Sequence, residues 1–253
     1  MNAIPTASIS QQEPELLGQT VLIIGGSSGI GLETARRAHA EGAKVILTGR
    51  NPERLQRAAN EVGAMSTAAF DATDFEFLKK FFDELPAPVD HVLVTGPGPY
   101  YAPLLEFDFD RARRDIEAHL LLPMQIARNA TTKVRPGGSL LFMSGTGGRS
   151  TAKGFTLISA LTAAGPAMTK GLALELAPVR VNLIAAGFVD TQLSAELLGD
   201  QLEKRRHQLR TTLPIRRVIG PEDVALLAVH LMINTALTGG TYDIDGGQQL
   251  VAG

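Results

Sequence analysis

The stretch IIGGSSGIG, residues 23–31, joins an apolar run to a helical pattern. Its glycines Gly25, Gly29 and Gly31 follow the spacing Gly-x-x-x-Gly-x-Gly. Glycines at a strand-to-helix turn allow the backbone to bend tightly and approach a pyrophosphate, whose charge then meets the free amides of the helix start. We therefore predict a dinucleotide-binding turn, with a glycine-rich turn that binds no ligand as the alternative. The intervening residues that are predicted to share this cofactor site are Ser27, Ser28 and Ile30.

Short apolar runs alternate with helical patterns along the rest of the chain. The runs are TVLIIG (20–25), KVILTG (44–49), HVLVTG (91–96), SLLFMS (139–144) and RVNLIAAG (180–187). Strands that are apolar throughout are covered on both faces, which is typical of parallel sheets joined by helical crossovers. The sequence therefore predicts an α/β fold: a single Rossmann-type doubly wound parallel sheet with helices on both faces, spanning residues 17–253. Residues 1–16 are predicted to form a flexible tail.

The composition argues against several classes of function. A formal net charge of -2 provides no basic field for nucleic acid or an anionic membrane, so neither is an expected partner. The chain has no cysteine, which excludes disulfides, thiolate nucleophiles and cysteine metal sites. Its five histidines are scattered without ligand spacing, so no metal site is expected. The first residues lack the basic start and apolar stretch of a secretory signal, and we expect a cytoplasmic protein.

Three further stretches follow the glycine motif in order. They are FDATD (70–74), LALELAPVRVNLIAAGFVDT (172–191) and LTGGTYDIDGGQQL (237–250). With these stretches, the chain resembles the short-chain dehydrogenase/reductase family from about Leu17 to its C-terminus. The resemblance implies a nicotinamide dinucleotide cofactor, a small-molecule substrate and self-association as a dimer or tetramer. It places further cofactor contacts at Asp71, Ala72, Thr95, Gly96, Gly187, Val189 and Thr191, although the usual proline before Gly187 is Ala186 here.

The end of the second strand, ILTGRN (46–51), bears on the choice of cofactor. An NAD-selective enzyme usually places a carboxylate there to accept hydrogen bonds from the ribose hydroxyls, and this carboxylate would repel a 2′-phosphate. This chain has Gly49 followed by Arg50, whose guanidinium suits a phosphate. We therefore predict NADP(H) rather than NAD. The alternative is that Arg50 is a solvated residue before a helix.

The resemblance also implies which positions carry the chemistry. In typical members a serine orients the substrate carbonyl, a tyrosine transfers the proton, and a lysine four residues later lowers the pKa of the tyrosine. Counting from the stretches on either side places Gly145, Ile158 and Thr162 at these positions, and His119 at that of a proton-relaying asparagine. The chain therefore resembles a divergent member that lacks the Ser/Tyr/Lys residues. An isoleucine cannot donate a proton, and a threonine hydroxyl is too weak an acid to replace the phenol.

Other side chains are candidates to supply the missing acid or to orient a carbonyl. The candidates are Tyr100, Tyr101, His119, Ser144 and Lys153, of which Tyr100, His119 and Ser144 are the predicted catalytic residues. The two tyrosines follow the fourth strand, where ligands of such sheets bind, and the histidine titrates near neutral pH. Pro123 predicts an irregular helix around His119. Each candidate has a structural alternative: pocket lining, a hydrogen-bonded core histidine, a turn cap or a solvated charge.

Two functions remain open from the sequence. The first is an NADP(H)-dependent oxidoreductase that acts on a small carbonyl or alcohol substrate with a non-standard proton donor. The second is a catalytically inactive NADP(H)-binding protein with a sensory or structural role. The fold cannot distinguish them, because one scaffold hosts unrelated functions.

Overall fold

The computed structural model describes residues 15–85, 88–149 and 151–251, over which seven strands form one sheet. All neighbouring strands are parallel, in the order β3-β2-β1-β4-β5-β6-β7. This arrangement confirms the predicted Rossmann-type sheet. The strands are β1 Thr20–Ile24, β2 Lys44–Gly49, β3 Ser66–Ala69, β4 Val89–Val94, β5 Val134–Gly145, β6 Arg180–Ala186 and β7 Thr241–Ile244.

Helices connect and cover these strands. They are α1 Gly29–Ala40, α2 Pro52–Val62, α3 Phe75–Glu84, α4 Phe109–Ile116, α5 Leu122–Ala130, α6 Thr156–Glu175, α7 Gln192–Leu198, α8 Leu202–Thr212, α9 Pro221–Ile233 and α10 Gln248–Val251. A π turn, Glu117–Leu121, joins α4 to α5 without a break. The start of α2 shows how the sequence sets these limits: Asn51 Oδ1 accepts a hydrogen bond from the amide of Arg54 at 2.8 Å, and Pro52 occupies the first helical position.

The beginning of the domain differs slightly from the prediction. Most of the predicted tail, residues 1–14, lies outside the described residues. The predicted tail also includes Leu16, but the side chain of Leu16 is 0% exposed and packs in the core. Its amide donates to the carbonyl of Glu41 at 3.0 Å. The predicted boundary at Leu17 is therefore too late, because the leucine before it already buries apolar surface.

Two apolar cores lie on the two faces of the sheet. Successive side chains of a strand point to opposite faces, so Val21 and Ile23 join one core while Leu22 and Ile24 join the other. Both cores are closed by helices, which explains why the central strands are apolar throughout. The chain order along the sheet reverses between β1 and β4. In such sheets ligands bind beyond the carboxyl ends of the strands at this reversal.

A buried polar group joins the strands at the opposite end from the glycine turn. His91 of β4 pairs with Ser139 Oγ of β5 through Nδ1 at 2.8 Å and with Gln19 Oε1 through Nε2 at 2.7 Å. Burial and the positive charge of Arg180 lower the pKa of His91 to about 3. The Arg180 guanidinium in turn donates to carbonyls at the end of α9, among them those of Leu231 at 2.8 Å and Met232 at 2.6 Å. His91 is therefore held as the neutral imidazole.

This neutral histidine predicts a loss of stability in acid. Between its ordinary pKa of about 6.5 and its folded pKa of about 3, the unfolded chain binds a proton that the folded chain does not. The free energy of unfolding therefore falls as the pH falls, by up to about 1.4 kcal/mol per pH unit from this residue. Urea unfolding between about pH 7 and pH 5 should show this slope in the wild type and a shallower one in His91→Gln. Equal slopes in the two proteins would contradict the assignment.

Candidate active site

The glycine-rich turn packs so closely, both on itself and against the residue that follows β4, that no side chain fits at two of its glycines. A Cβ on Gly25 would lie 2.2 Å from Thr95 Oγ1, and Gly25 has a φ of +88°. A Cβ on Gly31 would lie 2.3 Å from the carbonyl oxygen of Gly25. Thr95 itself donates from its hydroxyl to the carbonyls of Ile24 and Gly25, both at 3.1 Å. The turn is thus locked to the end of β4 at the reversal of strand order.

The start of α1 presents backbone amides from this turn. Ser28 has extended backbone angles and precedes Gly29, the first residue of α1, and within the described ranges its side chain caps no amide. Ser27 beside it is buried. The first amides of a helix have no partner within the helix, and together with the helix dipole they favour an anion. The turn therefore fits the pyrophosphate of a dinucleotide: a tight backbone approach, open amides, and no side chain in the way.

The ends of β2 and β3 form the next part of the rim. A Cβ on Gly49 would lie 3.0 Å from Ser27 Oγ, so a longer side chain at this position would crowd the serine. Arg50 follows with an exposed side chain. Asp71 accepts hydrogen bonds from the amide and hydroxyl of Thr73, at 3.0 and 2.8 Å, and so fixes the loop that contains Ala72. These predicted cofactor residues all lie at the carboxyl ends of the strands.

The loop after β6 approaches the turn from the other side. Thr191 caps α7 by accepting a hydrogen bond from the amide of Ser194 at 3.3 Å. A Cβ on Gly29 would lie 3.6 Å from the Thr191 Cβ, which places the start of α7 beside the glycine-rich turn. Further along α7, Leu193 lies next to Gly98, with 3.2 Å between its Cδ1 and a Cβ built on that glycine. Helix α7 therefore covers the loop after β4.

The same loop after β6 is fixed by its neighbours. A Cβ on Gly187 would lie 2.7 Å from the Asp245 Cβ, so only glycine fits there. Val189 is buried and bridges to Ile219. The predicted nicotinamide-side contacts Gly187, Val189 and Thr191 thus belong to one rigid segment between β6 and α7.

A cavity of about 720 Å³ adjoins the glycine-rich turn. It extends from the turn between α1, α2 and the segment formed by α7 and α8. Its lining includes Ser27, Ser28, Gly29, Thr191, Gln192 and four arginines, Arg36, Arg54, Arg57 and Arg206. The lining also includes Glu61 and Asp190, so the surface beside the predicted cofactor turn has more arginines than carboxylates.

His119 lies in the π turn, Glu117–Leu121. Pro123 lacks an amide hydrogen, so it cannot donate to the carbonyl of His119 four residues earlier, and its ring would clash with that carbonyl in a regular α-helix. A π turn absorbs such a clash, and π turns are frequent at functional sites. The predicted irregularity of this helix is confirmed. It turns the histidine toward the loop after β4, where a Cβ on Gly96 would lie 3.7 Å from His119 Nε2.

Both ring nitrogens of His119 face hydrogen-bond acceptors. Nδ1 lies 3.0 Å from the carbonyl oxygen of Asp115 and 3.2 Å from its carboxylate, while Nε2 lies 3.3 Å from the carbonyl oxygen of Pro97. An imidazole donates from both nitrogens only when it is protonated. Burial would lower the pKa of His119, but the hydrogen bonds and negative charge of Asp115, together with the Pro97 carbonyl, raise the pKa above its ordinary value. The site therefore favours an imidazolium.

The buried carboxylate of Asp115 also reaches the loop that follows. It accepts from the amide of Tyr100 at 3.4 Å, so one side chain holds both the histidine and the tyrosine loop. The Tyr100 hydroxyl accepts from the amide of Asp108 at 2.8 Å, and the Arg111 guanidinium lies 4.6 Å above its ring. Tyr100 is buried, and its hydroxyl anchors the start of α4.

The remaining candidates, Tyr101, Lys153 and Ser144, line neither the cavity of about 720 Å³ nor a second one of about 210 Å³. Tyr101 is half exposed and packs against Phe155 with ring centroids 4.8 Å apart, and burial together with the charge of Asp115 raises its pKa. Lys153 is exposed on the loop before α6. Ser144 faces the middle of α6, with its Oγ 3.5 Å from a Cβ built on Gly165. The structure thus brings His119 to the loop after β4 and directs Ser144 toward the helix.

A smaller cavity, of about 210 Å³, lies at the positions where the resemblance expects the serine and lysine. Gly145 and Thr162 both line it, and Ile158 is buried nearby on the same helix. The Thr162 hydroxyl donates to the carbonyls of Ile158 and Ser159, at 2.8 and 3.2 Å. Its hydrogen is committed to the helix backbone, so Thr162 adds no acid to the site.

Two residues of the candidate site, Asp115 and Arg54, are not among those predicted from the sequence. Asp115 precedes His119 by four residues, and this spacing on one helix was the signal that could have identified the pair. Arg54 follows Arg50 by four residues in the sequence and lines the larger cavity. Its contribution depends on how α2 packs beside the turn, which the sequence pattern does not specify.

Comparisons with known proteins agree with this geometry. The profile of the family described as Enoyl-(Acyl carrier protein) reductase matches residues 25–249. The protein named Short-chain dehydrogenase/reductase ATR9 of Stachybotrys chlorohalonatus is 30% identical over 249 residues, covering 92% of this chain and 98% of the relative.

Two solved structures are similar over nearly the whole chain. The MalC Reductase/Diels-Alderase of Malbranchea aurantiaca has a TM-score of 0.87 at 26% identity, covering 94% of this chain and 99% of that one. BdcA, solved in complex with NADPH, has a TM-score of 0.82 at 27% identity, covering 92% of this chain and 95% of that one. The fold, the glycine-rich turn, the family profile and the 30% identical relative lead to one conclusion: this chain belongs to the short-chain dehydrogenase/reductase family of oxidoreductases.

Proposed function

We propose that the protein is an NADPH-dependent reductase of small carbonyl compounds in which His119 is the proton donor. The observation that carries this proposal is the pair of acceptors around the imidazole of His119, beside the loop that ends β4. A histidine whose pKa is raised and that lies beside the loop after β4 can act as a general acid. The Asp115 carboxylate both orients the ring and stabilises its charged form.

The cofactor is proposed to be NADPH. The turn from Gly25 to Gly31 fits a pyrophosphate, and the end of β2 offers Arg50 where an NAD-selective protein usually carries a carboxylate. The similar BdcA structure contains NADPH, which supports the same choice here. When bound, NADPH supplies a hydride for the carbonyl carbon, and the protein must supply a proton for the oxygen.

The chain's own residues have separable tasks in this reaction. Helix α7, which lies over Gly98, restricts the access of water to the loop after β4. In this step the Nε2–H of His119 leaves its long contact of 3.3 Å with the Pro97 carbonyl and gives its proton to the substrate oxygen as negative charge develops there, so that the carbonyl becomes the alcohol. Asp115 is a positioning residue, since its carboxylate touches the histidine. Ile158 and Thr162 contribute packing and no acid, in keeping with the resemblance to a family member without the tyrosine and lysine.

The alternative function is an NADPH-binding protein without turnover. It is favoured by the residues at the four expected catalytic positions, Gly145, Ile158, Thr162 and His119, if the imidazolium does not reach a substrate. The similar MalC structure carries the word reductase in its description. This likeness favours turnover here as well.

Replacement of His119 tests the proposed acid. We expect His119→Gln to lower kcat by about 100-fold or more, because loss of general acid catalysis typically has an effect of this size. NADPH affinity should stay within about threefold, since the histidine acts on the substrate. The assay follows NADPH oxidation with a panel of ketones, aldehydes and quinones, and Tyr100→Phe and Tyr101→Phe serve as matched variants. A large loss of kcat in either tyrosine variant with none in His119→Gln would refute the assignment.

If none of the ketones, aldehydes and quinones is reduced, the alternative function is favoured. The variant Gly145→Ser/Ile158→Tyr/Thr162→Lys then distinguishes the two functions, because it restores the residues that typical family members use. Activity that appears only in this triple variant, with NADPH bound equally by both proteins, would show that the natural chain binds the cofactor without a proton donor.

The raised pKa of His119 predicts the pH dependence of reduction. The folded protein holds this proton to a pH above the ordinary value of about 6.5, so kcat should be constant below the raised pKa and fall about tenfold per pH unit above it. Asp115→Asn removes the carboxylate and should move this decline to lower pH. The exposed Asp110 on the same helix provides the control variant Asp110→Asn. An NMR titration of the His119 ring, with the same shift expected, checks the pKa without turnover.

We also propose that the protein assembles as a dimer or tetramer. The most apolar 18-residue window of α6 has a mean hydropathy of 1.2, and 28% of it is buried within the described chain. Leu174 on α6 and Leu250 near the C-terminus are each 82% exposed. Apolar surface of this kind favours association between copies. Light scattering should give at least twice the chain mass of 26.9 kDa, and a value near 26.9 kDa would contradict the proposal.

A further inference from the structure

The larger cavity contains arginines of two kinds. Arg36 pairs with Glu33 at 2.6 Å and with Glu61 at 2.5 Å, so its charge is neutralised. Arg206 pairs with Asp190 at 2.7 Å and with Glu203. Two of the four arginines are therefore committed to carboxylates.

The other two arginines, Arg54 and Arg57, come from the first turns of α2. Neither has a carboxylate within 4.0 Å in the described part of the chain. Their charges face a cavity that also exposes the helix start at Ser28 and Gly29. Uncompensated positive charge next to open backbone amides forms a site for an anion.

Arg54 carries a further sign of a ligand. Its Nε is fully shielded from solvent, yet it has no hydrogen-bond partner among the residues that the structure describes. A buried donor without a partner is costly, and such groups in native proteins call for an explanation. An arginine that binds a phosphate uses this same edge of the guanidinium, because Nε and a terminal nitrogen form a fork that matches two phosphate oxygens. Because Nε is shielded, the Arg54 side chain must turn to bring this fork to a ligand in the cavity.

We infer that Arg54, supported by Arg57, binds the 2′-phosphate of NADPH and thereby selects this cofactor over NADH. The inference rests on the proposed use of NADPH and adds residues to it. Arg54 and the buried Ser27 line one cavity, and Ser27 Oγ lies 3.0 Å from a Cβ built on Gly49 at the end of β2. The cavity thus joins the predicted phosphate-binding turn to the Arg54 guanidinium, and Ser27 lies between this cavity and the end of β2. Arg50, four residues before Arg54 in the sequence, is exposed and would assist from the solvent side.

The chemistry favours a phosphate monoester over a carboxylate. A monoester carries up to two negative charges and three acceptor oxygens at neutral pH, and the cavity offers two guanidinium groups that have no carboxylate partner among the described residues. NADH presents only ribose hydroxyls at the same place. The arginine pair should therefore discriminate strongly between the two cofactors.

The test compares Arg54→Gln with the wild type by calorimetry. The dissociation constant for NADPH should rise at least about tenfold, the equivalent of about 1.4 kcal/mol, while that for NADH should change by less than about twofold. Arg37→Gln is the matched control, because this substitution removes the same charge from a residue of α1 that is exposed and lies outside the cavity lining. Arg54→Lys, which keeps the charge and loses the fork, should be intermediate.

Two ligand probes separate the sources of phosphate. Adenosine 2′,5′-bisphosphate should compete with NADPH far better than adenosine 5′-monophosphate does in the wild type, and this advantage should vanish in Arg54→Gln. Inorganic phosphate should compete only weakly. Tight binding of inorganic phosphate with no advantage for the 2′-phosphate would overturn the inference in favour of an independent anion site.

The outcomes also separate this inference from the proposed function. An unchanged preference for NADPH in both Arg54→Gln and Arg54→Lys refutes the role of Arg54 and leaves NADPH as the cofactor. A wild type that binds NADH as tightly as NADPH refutes both. If Arg54→Gln fails to fold, as judged by its thermal unfolding, Arg54→Lys carries the same comparison.

Discussion

The contact between the glycine-rich turn and the end of β4 governs the rest of this structure. Because a Cβ on Gly25 would lie 2.2 Å from Thr95 Oγ1, the turn can approach β4 only as glycine, and Thr95 then fastens it through two carbonyls. This contact fixes the start of α1, the orientation of its free amides and the loop that begins at Gly96. His119 faces that same loop. The same backbone contact therefore positions both the predicted cofactor turn and the loop that His119 faces.

Much of the fold could be predicted from the sequence, because the central strands are buried on both faces and so are continuous apolar runs. The predicted β2 matches Lys44–Gly49 in full. The predicted fourth and fifth strands start too late, since β4 begins at Val89 and β5 at Val134, where polar and glycine residues interrupt the apolar pattern. No apolar run indicates the edge strand β3, whose small residues are mostly exposed. Pairing with β2 creates this strand.

The cofactor side of the candidate site was predicted from the glycine spacing and the resemblance. His119 could be proposed because the resemblance places it at a proton-relaying position and because its side chain titrates near neutral pH. The spacing of four residues between Asp115 and His119 indicates that the two could pair, but it does not reveal the π turn and the burial on which the role of Asp115 depends. Arg54 was missed for a similar reason: its unpaired Nε is a property of the packed structure. For both Asp115 and Arg54 the sequence does not show which groups pair with the charge. Such pairing depends on contacts between distant segments and on the direction in which a helix presents each side chain.

The most direct test of the account follows the hydride itself. The protein is incubated with NADPH that carries deuterium at the transferable position of the nicotinamide, together with the panel of carbonyl compounds, and the products are analysed by mass spectrometry. The account predicts an alcohol that contains one deuterium on the former carbonyl carbon, because the glycine-rich turn positions the cofactor and His119 supplies the proton. Tight binding of NADPH with no deuterium in any product would contradict it.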